Sequence, residues 1–181
     1  MLQGIPIPGR TRPTARQVYR AEVGKKLDWL PPPRETRRGH PGTIFCPRCH
    51  AISTGSRWFQ DESLYQSLRA TPEAHPVICP GCRGLEAQTY QGAIFLQSPL
   101  LQFNREQALD LISNAEARAR EHNPTSRILT IEGRGDTLIV YVTTTALAER
   151  IGRAFHHSFK GTLRLQWAPG EHFIRVFWTR A

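Results

Sequence analysis

Long apolar runs, abundant cysteine and recognisable catalytic signatures are what this sequence lacks. No stretch approaches the roughly 18 consecutive apolar residues that a bilayer-crossing helix needs, so a transmembrane helix is excluded. The opening MLQGIPIPGRTRP has no apolar segment behind a basic patch, so no secretory signal is expected and the cytoplasm is the expected compartment. The C-terminal half holds no glycine-rich phosphate loop, no His-Glu metal-hydrolase pattern and no paired carboxylates in a cleft-like motif. A non-enzymatic protein without a small-molecule substrate is therefore expected.

Cysteine occurs four times in 181 residues, always as Cys-x-x-Cys: CPRCH from Cys46 to His50 and CPGCR from Cys79 to Arg83. In a reducing compartment such pairs are metal ligands or redox groups more often than structural disulfides. Each turn lets two thiolates point at one ion, and two turns complete a closed tetrahedral site of Cys46, Cys49, Cys79 and Cys82. Pro47 and Pro80 fix the backbone after each leading cysteine, and Gly81 permits a sharp return. Four thiolates suit Zn2+, with a single iron as the alternative. Iron would make the protein a rubredoxin-like electron carrier, against which stands its basic charge. His50 and His75 lie near the cysteines in sequence and read as supporting or surface residues, since the four thiolates already fill the shell. A nucleophilic cysteine would need a free thiolate, and the metal accounts for all four.

The formal net charge of +9 is unevenly spread. Residues 1–42 contain nine Arg or Lys against three acids, residues 43–92 four against four, and residues 93–181 eleven against eight. The first segment also holds Pro6, Pro8, Pro13, Pro31, Pro32, Pro33 and Pro41, too little apolar surface to offset chain ordering. It reads as a disordered, basic, proline-rich arm, in which 14–30 has some helical character with Val18, Leu27 and Trp29 as anchors. Its cations, Arg10, Arg12, Arg16, Arg20, Lys25, Lys26, Arg34, Arg37 and Arg38, are candidate phosphate contacts, with Arg57 beside the first cysteine turn as another. RNA is the first expected partner and DNA the second.

Three regions follow: 1–42 as the arm, 43–92 as a four-Cys zinc-ribbon module, and 93–181 as an α+β domain. In the last, Ala108, Leu109, Leu111, Ile112, Ala115 and Ala119 recur at helical spacing, predicting a helix over 105–122 that stops before Pro124. Asn104 and Gln107 are spaced as a capping box. RILTIE and TLIVYVTT flank GRGD as a hairpin, and Thr144 or Thr145 opens a second helix carrying Leu147, Ile151, Ala154, Phe155 and Phe159, ending at Gly161. TLRLQWA and FIRVFWT alternate as strands, and a further strand lies near Phe95. The expected architecture is a (β)αββαββ sandwich with both helices on one face of an antiparallel sheet.

The segments CPRCHAISTGSRW, ICPGCR, LLQFNREQALDLISNAEARAREHNPTSRILTIE, TLIVYVTTTALAERIGRAFHHSFKGTL and IRVFWTR, together with the basic leader, resemble a family of small bacterial zinc-ribbon proteins of uncharacterised function. That family is related to the large-subunit ribosomal export adaptor called nonsense-mediated decay protein three. The resemblance covers nearly everything after about residue 40, and TTTALAERIG with FKGTL is its most specific part. It implies a zinc-binding protein linked to RNA or the ribosome and implies no reaction. The four cysteines carry over as metal ligands; Arg57 and Trp58 match without an assigned task. A DNA-binding regulator, an electron carrier and a protein-interaction adaptor are the alternatives.

Overall fold

A computed structural model describes residues 43–181 apart from Ser56, Glu73 and 169–171. The expected arm, with its nine cations and its helical segment, lies outside the described residues. Residues 43–181 fall within one compact unit, which contains two sheets and four α-helices.

The first sheet is built from very short strands: β1 (Ile44–Phe45), β2 (Ala51–Ser53), β3 (Trp58–Gln60) and β4 (His75–Pro76). Their order is β3-β2-β1-β4, with β1–β2 and β2–β3 antiparallel and β1–β4 parallel. Helix α1 (Glu62–Arg69) follows β3 and starts where the Asp61 carboxylate accepts from the Leu64 amide at 2.9 Å. Its one buried residue, Tyr65, packs with Phe45 and Ile52. Helix α2 (Pro80–Ala87) carries the second cysteine pair.

The second sheet comprises β5 (Gly92–Gln97), β6 (Ile128–Arg134), β7 (Thr137–Val142), β8 (Thr162–Trp167) and β9 (Ile174–Thr179). Between them run α3 (Arg105–His122) and α4 (Thr145–Phe159). The sequence thus foretells the element order, and α3 has the expected bounds. Thr144 is the cap of α4, its hydroxyl accepting from the Leu147 amide at 3.3 Å. At α3 the capping-box reading fails: Asn104 makes no side-chain cap and instead donates to the Leu100 carbonyl at 3.2 Å. Asn104 is held by the 3-10 turn Pro99–Gln102 just before it.

The strand order β6-β7-β5-β9-β8 corrects the expectation of an antiparallel sheet. β5 runs parallel to β9 from Gly92↔Ile174 to Gln97↔Thr179, while all other neighbours are antiparallel. The chain leaves α4 to lay β8 at the edge, then turns back to place β9 beside β5. The strand near Phe95 is therefore the centre of the sheet, and Gly92 belongs to it.

Both helices cover one face. Ile94 and Leu96 of β5, Leu138, Val140 and Val142 of β7, and Ile174, Val176 and Trp178 of β9 form one cluster with Ala108, Ile112, Ala115 and Ala119 of α3 and Leu147, Ile151 and Phe155 of α4. Each large apolar side chain buried here contributes about 1.5–3 kcal/mol, so this cluster dominates the stability of the unit. Gly152 lets α4 approach closely: a Cβ there would lie 2.4 Å from Val176 Cγ1.

Candidate metal centre

The first cysteine pair occupies the tight connection between β1 and β2. Cys46 directly follows β1 and its amide donates to the Ala51 carbonyl at 2.7 Å, while the His50 amide donates back to the Cys46 carbonyl at 3.0 Å. This closes a small loop, and His50 takes φ 61° to complete it. The second pair is presented differently, at a helix start. Cys79 is the N-cap of α2, Pro80 stands at the first helical position where its missing N–H costs nothing, and the Cys82 amide donates to Cys79 Sγ at 3.4 Å.

These two presentations converge. The four Sγ atoms of Cys46, Cys49, Cys79 and Cys82 all lie within 4.8 Å of one another. Cys49 Sγ and Cys79 Sγ are 3.5 Å apart, and the Cys79 amide donates to Cys46 Sγ at 3.4 Å. With metal–sulfur bonds of about 2.3 Å, a tetrahedron has sulfurs roughly 3.8 Å apart, so the donor set fits a single ion with small adjustment. None of the four cysteines is in a disulfide. The cluster is compatible with the expected zinc ribbon.

The surroundings act on the sulfurs in opposite directions. The N-terminus of α2 points its dipole at the thiolates, and amide donors meet them, both of which stabilise anions. The hydrogen bond from Cys79 is the chief cause that pushes the Cys49 thiol down to about 4. Cys79 moves up, first because it gives that hydrogen bond and then because it is buried. Burial above all pushes Cys82 up to about 12. An ion bound by all four sulfurs would take the place of the protons they share.

Cys46, Cys79 and Cys82 are buried and Cys49 half-buried. Ala51, Trp58 and Ile78 pack around them, so Trp58 helps to shield the cluster. Arg48 and Glu86 form an ion pair that ties the first cysteine turn to α2. His50 turns away from the sulfurs: its ring stacks on Tyr65 at 4.0 Å and its Nδ1 lies 3.0 Å from the Glu62 carboxylate. His75 is exposed on β4. Both histidines thus stand outside the cluster, as expected.

Of the candidate nucleic-acid contacts, only Arg57 falls among the described residues. Its guanidinium donates to the His122 carbonyl at the end of α3, at 3.5 Å, which links the first sheet to the second. Reading the sequence misses a closer link. A Cβ on Gly81 would lie 2.7 Å from both the Cα and the carbonyl oxygen of Thr125. The glycine of the CPGC turn thus lets the cysteine-bearing helix α2 sit against the loop entering β6. The signal was present in the Cys-Pro-Gly-Cys order, yet its partner was not.

No family model matches the chain, and no curated protein or solved structure matches it either. The four-cysteine cluster thus stands on its own geometry.

Proposed function

We propose that this is a non-enzymatic, cytoplasmic, zinc-binding protein associated with RNA or the ribosome. The observation that carries the reading is the convergence of four cysteine sulfurs within 4.8 Å of one another. All four positions of a tetrahedral ion are then supplied by protein, and structural zinc sites are closed in this way, whereas catalytic ones keep a position for water or substrate. Zinc is favoured over iron by the strongly basic charge of the chain, +9 overall, which suits a polyanion partner better than an electron-transfer partner.

Two thirds of that excess lies in residues 1–42, so Arg10, Arg12, Arg16, Arg20, Lys25, Lys26, Arg34, Arg37 and Arg38 supply the ionic attraction to phosphate. Resemblance to the bacterial relatives of the ribosomal export adaptor supports RNA over DNA as the polyanion. The test is recovery of the tagged full-length chain from lysate, with and without ribonuclease or deoxyribonuclease, together with elemental analysis. Colourless protein with one zinc and ribonuclease-sensitive nucleic acid or ribosomal subunits is the expected result. A coloured, iron-loaded protein would make it an electron carrier, deoxyribonuclease sensitivity a DNA-binding regulator, and absence of any nucleic acid an adaptor between proteins.

A further inference from the structure

Three of the four cysteines are closed off from solvent and one is not. Cys46, Cys79 and Cys82 are buried, whereas Cys49 is half-buried. The way each is presented accounts for the difference. Cys46 follows β1 directly, and Cys79 and Cys82 begin α2, where Gly81 between them is pressed against the Thr125 backbone. Cys49 instead belongs to the turn 47–49 between β1 and β2. A small solute arriving from water therefore meets its sulfur before the others.

The sulfur in contact with Cys49 belongs to the other cysteine pair. Cys49 Sγ and Cys79 Sγ are 3.5 Å apart. A disulfide bond is about 2.05 Å long, so the two atoms need to close by only about 1.5 Å. Cys79 is fixed by its neighbours: its sulfur accepts from the Cys82 amide, and its own amide donates to Cys46 Sγ, both at 3.4 Å. The accessible sulfur thus lies against a buried one held in place across the cluster. A bond between them would join the β1–β2 connection to the start of α2, the same two pieces that an ion held by all four sulfurs would join.

We propose that Cys49 is a site of oxidation by hydroperoxides and that Cys79 resolves it, so that a Cys49–Cys79 disulfide replaces the ion as the staple of the small sheet. This deepens the zinc reading above and rests on it. In the first step the Cys49 thiolate attacks one peroxide oxygen; the S–O bond forms, the O–O bond breaks, and the departing hydroxide takes a proton from solvent to become water. In the second, the Cys79 thiolate attacks the sulfenic sulfur of Cys49; the S–S bond forms, the S–O bond breaks, and a second hydroxide leaves and is protonated. Two thiolates have lost two electrons and the peroxide has gained them. The charge of the ion does not change.

Only Cys46 and Cys82 then remain as donors, and a structural zinc site needs four, so the ion leaves. The bond that displaces it also closes the chain over residues 50–78 and restricts the unfolded state of that segment. A disulfide within either Cys-x-x-Cys turn would free the ion and leave the two pieces untied. Loss of metal by oxidation and loss by chelation should therefore have opposite consequences for Trp58, which packs against the cysteines.

The experiment treats the full-length, zinc-loaded chain with hydrogen peroxide. Released zinc is followed with a pyridylazo dye, remaining thiols are alkylated, and the protein is cut with trypsin for mass spectrometry. Cleavage after arginine puts Cys46 on peptide 39–48, Cys49 on 49–57, and Cys79 with Cys82 on 70–83. The expected result is one zinc released for two thiols lost, with 49–57 linked to 70–83 and fragmentation placing the link at Cys79. The Trp58 fluorescence should stay where it is in the loaded protein, whereas chelation under reducing conditions should shift it to the red. Cys49→His, which keeps a nitrogen donor for zinc but removes the reactive sulfur, should lose zinc to peroxide roughly tenfold more slowly. If that variant does not load zinc, the wild-type peptide map alone decides. A link between 39–48 and 49–57, a bridge inside 70–83, retention of zinc in a large excess of peroxide, or a red shift on oxidation each overturns the exchange and leaves the zinc reading standing. A protein purified under reducing conditions without zinc removes both.

Discussion

The two sheets hold together by different means. The five-stranded sheet joins Ile94, Leu96, Val140, Val176 and Trp178 to Ile112, Leu147, Ile151 and Phe155 in a single cluster under two helices. The four-stranded sheet has strands of two or three residues and two separate small clusters, one around Phe45, Ile52 and Tyr65 and the other made of cysteines with Ala51. Area removed from water suffices for the first. For the second, the sulfur cluster occupies the place where a larger module would put leucines, and an ion held there would tie its folding to metal binding. The difference teaches that the four-cysteine cluster is part of the core of its half rather than a decoration on it.

The strongest way to break that comparison is to take the ion away. Chelation of the purified protein, or Cys82→Ser, should abolish the fixed environment of Trp58, seen as a red-shifted fluorescence component. The far-ultraviolet helical signal of α3 and α4 should persist. Structural zinc sites contribute apparent binding energies of about 10–16 kcal/mol, so the effect on the small sheet should be complete. Simultaneous collapse of both halves would show that they form a single cooperative unit.

The reciprocal cut is Ile151→Ala, at a fully buried position of α4. It should destabilise the large sheet by about 2–5 kcal/mol in chemical denaturation, with the zinc stoichiometry of the folded protein unchanged. Gly81→Ala lies between the two. The added methyl would meet the Thr125 backbone at 2.7 Å, so a loss of about 1–3 kcal/mol is expected, accompanied by weaker retention of zinc against a competing chelator. A change in the first quantity without the second would separate docking of α2 from its grip on the ion.

The smallest effect is electrostatic. The hydrogen bond with His50, helped by Gln66, holds the Glu62 carboxyl below its ordinary value. A carboxylate lowered in the folded state adds stability that is present above its unfolded pKa and fades as pH falls through the lowered value. On so exposed a group the contribution is best read by a side-chain NMR titration. The midpoint should lie below that of a free glutamate and return towards it in His50→Ala.

Much of this was legible from residue order. The helical repeat through Ala108, Ile112, Ala115 and Ala119 and the stop before Pro124 give α3 its bounds, and the paired cysteines indicate which atoms meet. Thr144 was identifiable as one of two caps because a hydroxyl followed by an apolar repeat is a local signal. The sheet order was not legible. GAIFLQ is buried on nearly every residue, so it shows no alternation to mark a strand, and its neighbour β9 is fixed only by the path of the chain through α4 and β8. Asn104 shows the same limit on a smaller scale: its spacing to Gln107 suits a cap, but the Leu100 carbonyl of the preceding turn takes its amide. Strands such as β1 and β4, two residues each, are too short for any period to show.

One consequence of the β5–β9 pairing concerns how the polypeptide is made. The final strand of the sheet is an inner stave, gripped by β5 on one side and β8 on the other. Until Thr179 has cleared the exit of the translation machinery, β5 has a neighbour on only one flank, and pairings this distant in sequence form late and slowly. A nascent chain stalled short of that point would present the edge of its central strand to the cell, an invitation to chaperones or to aggregation.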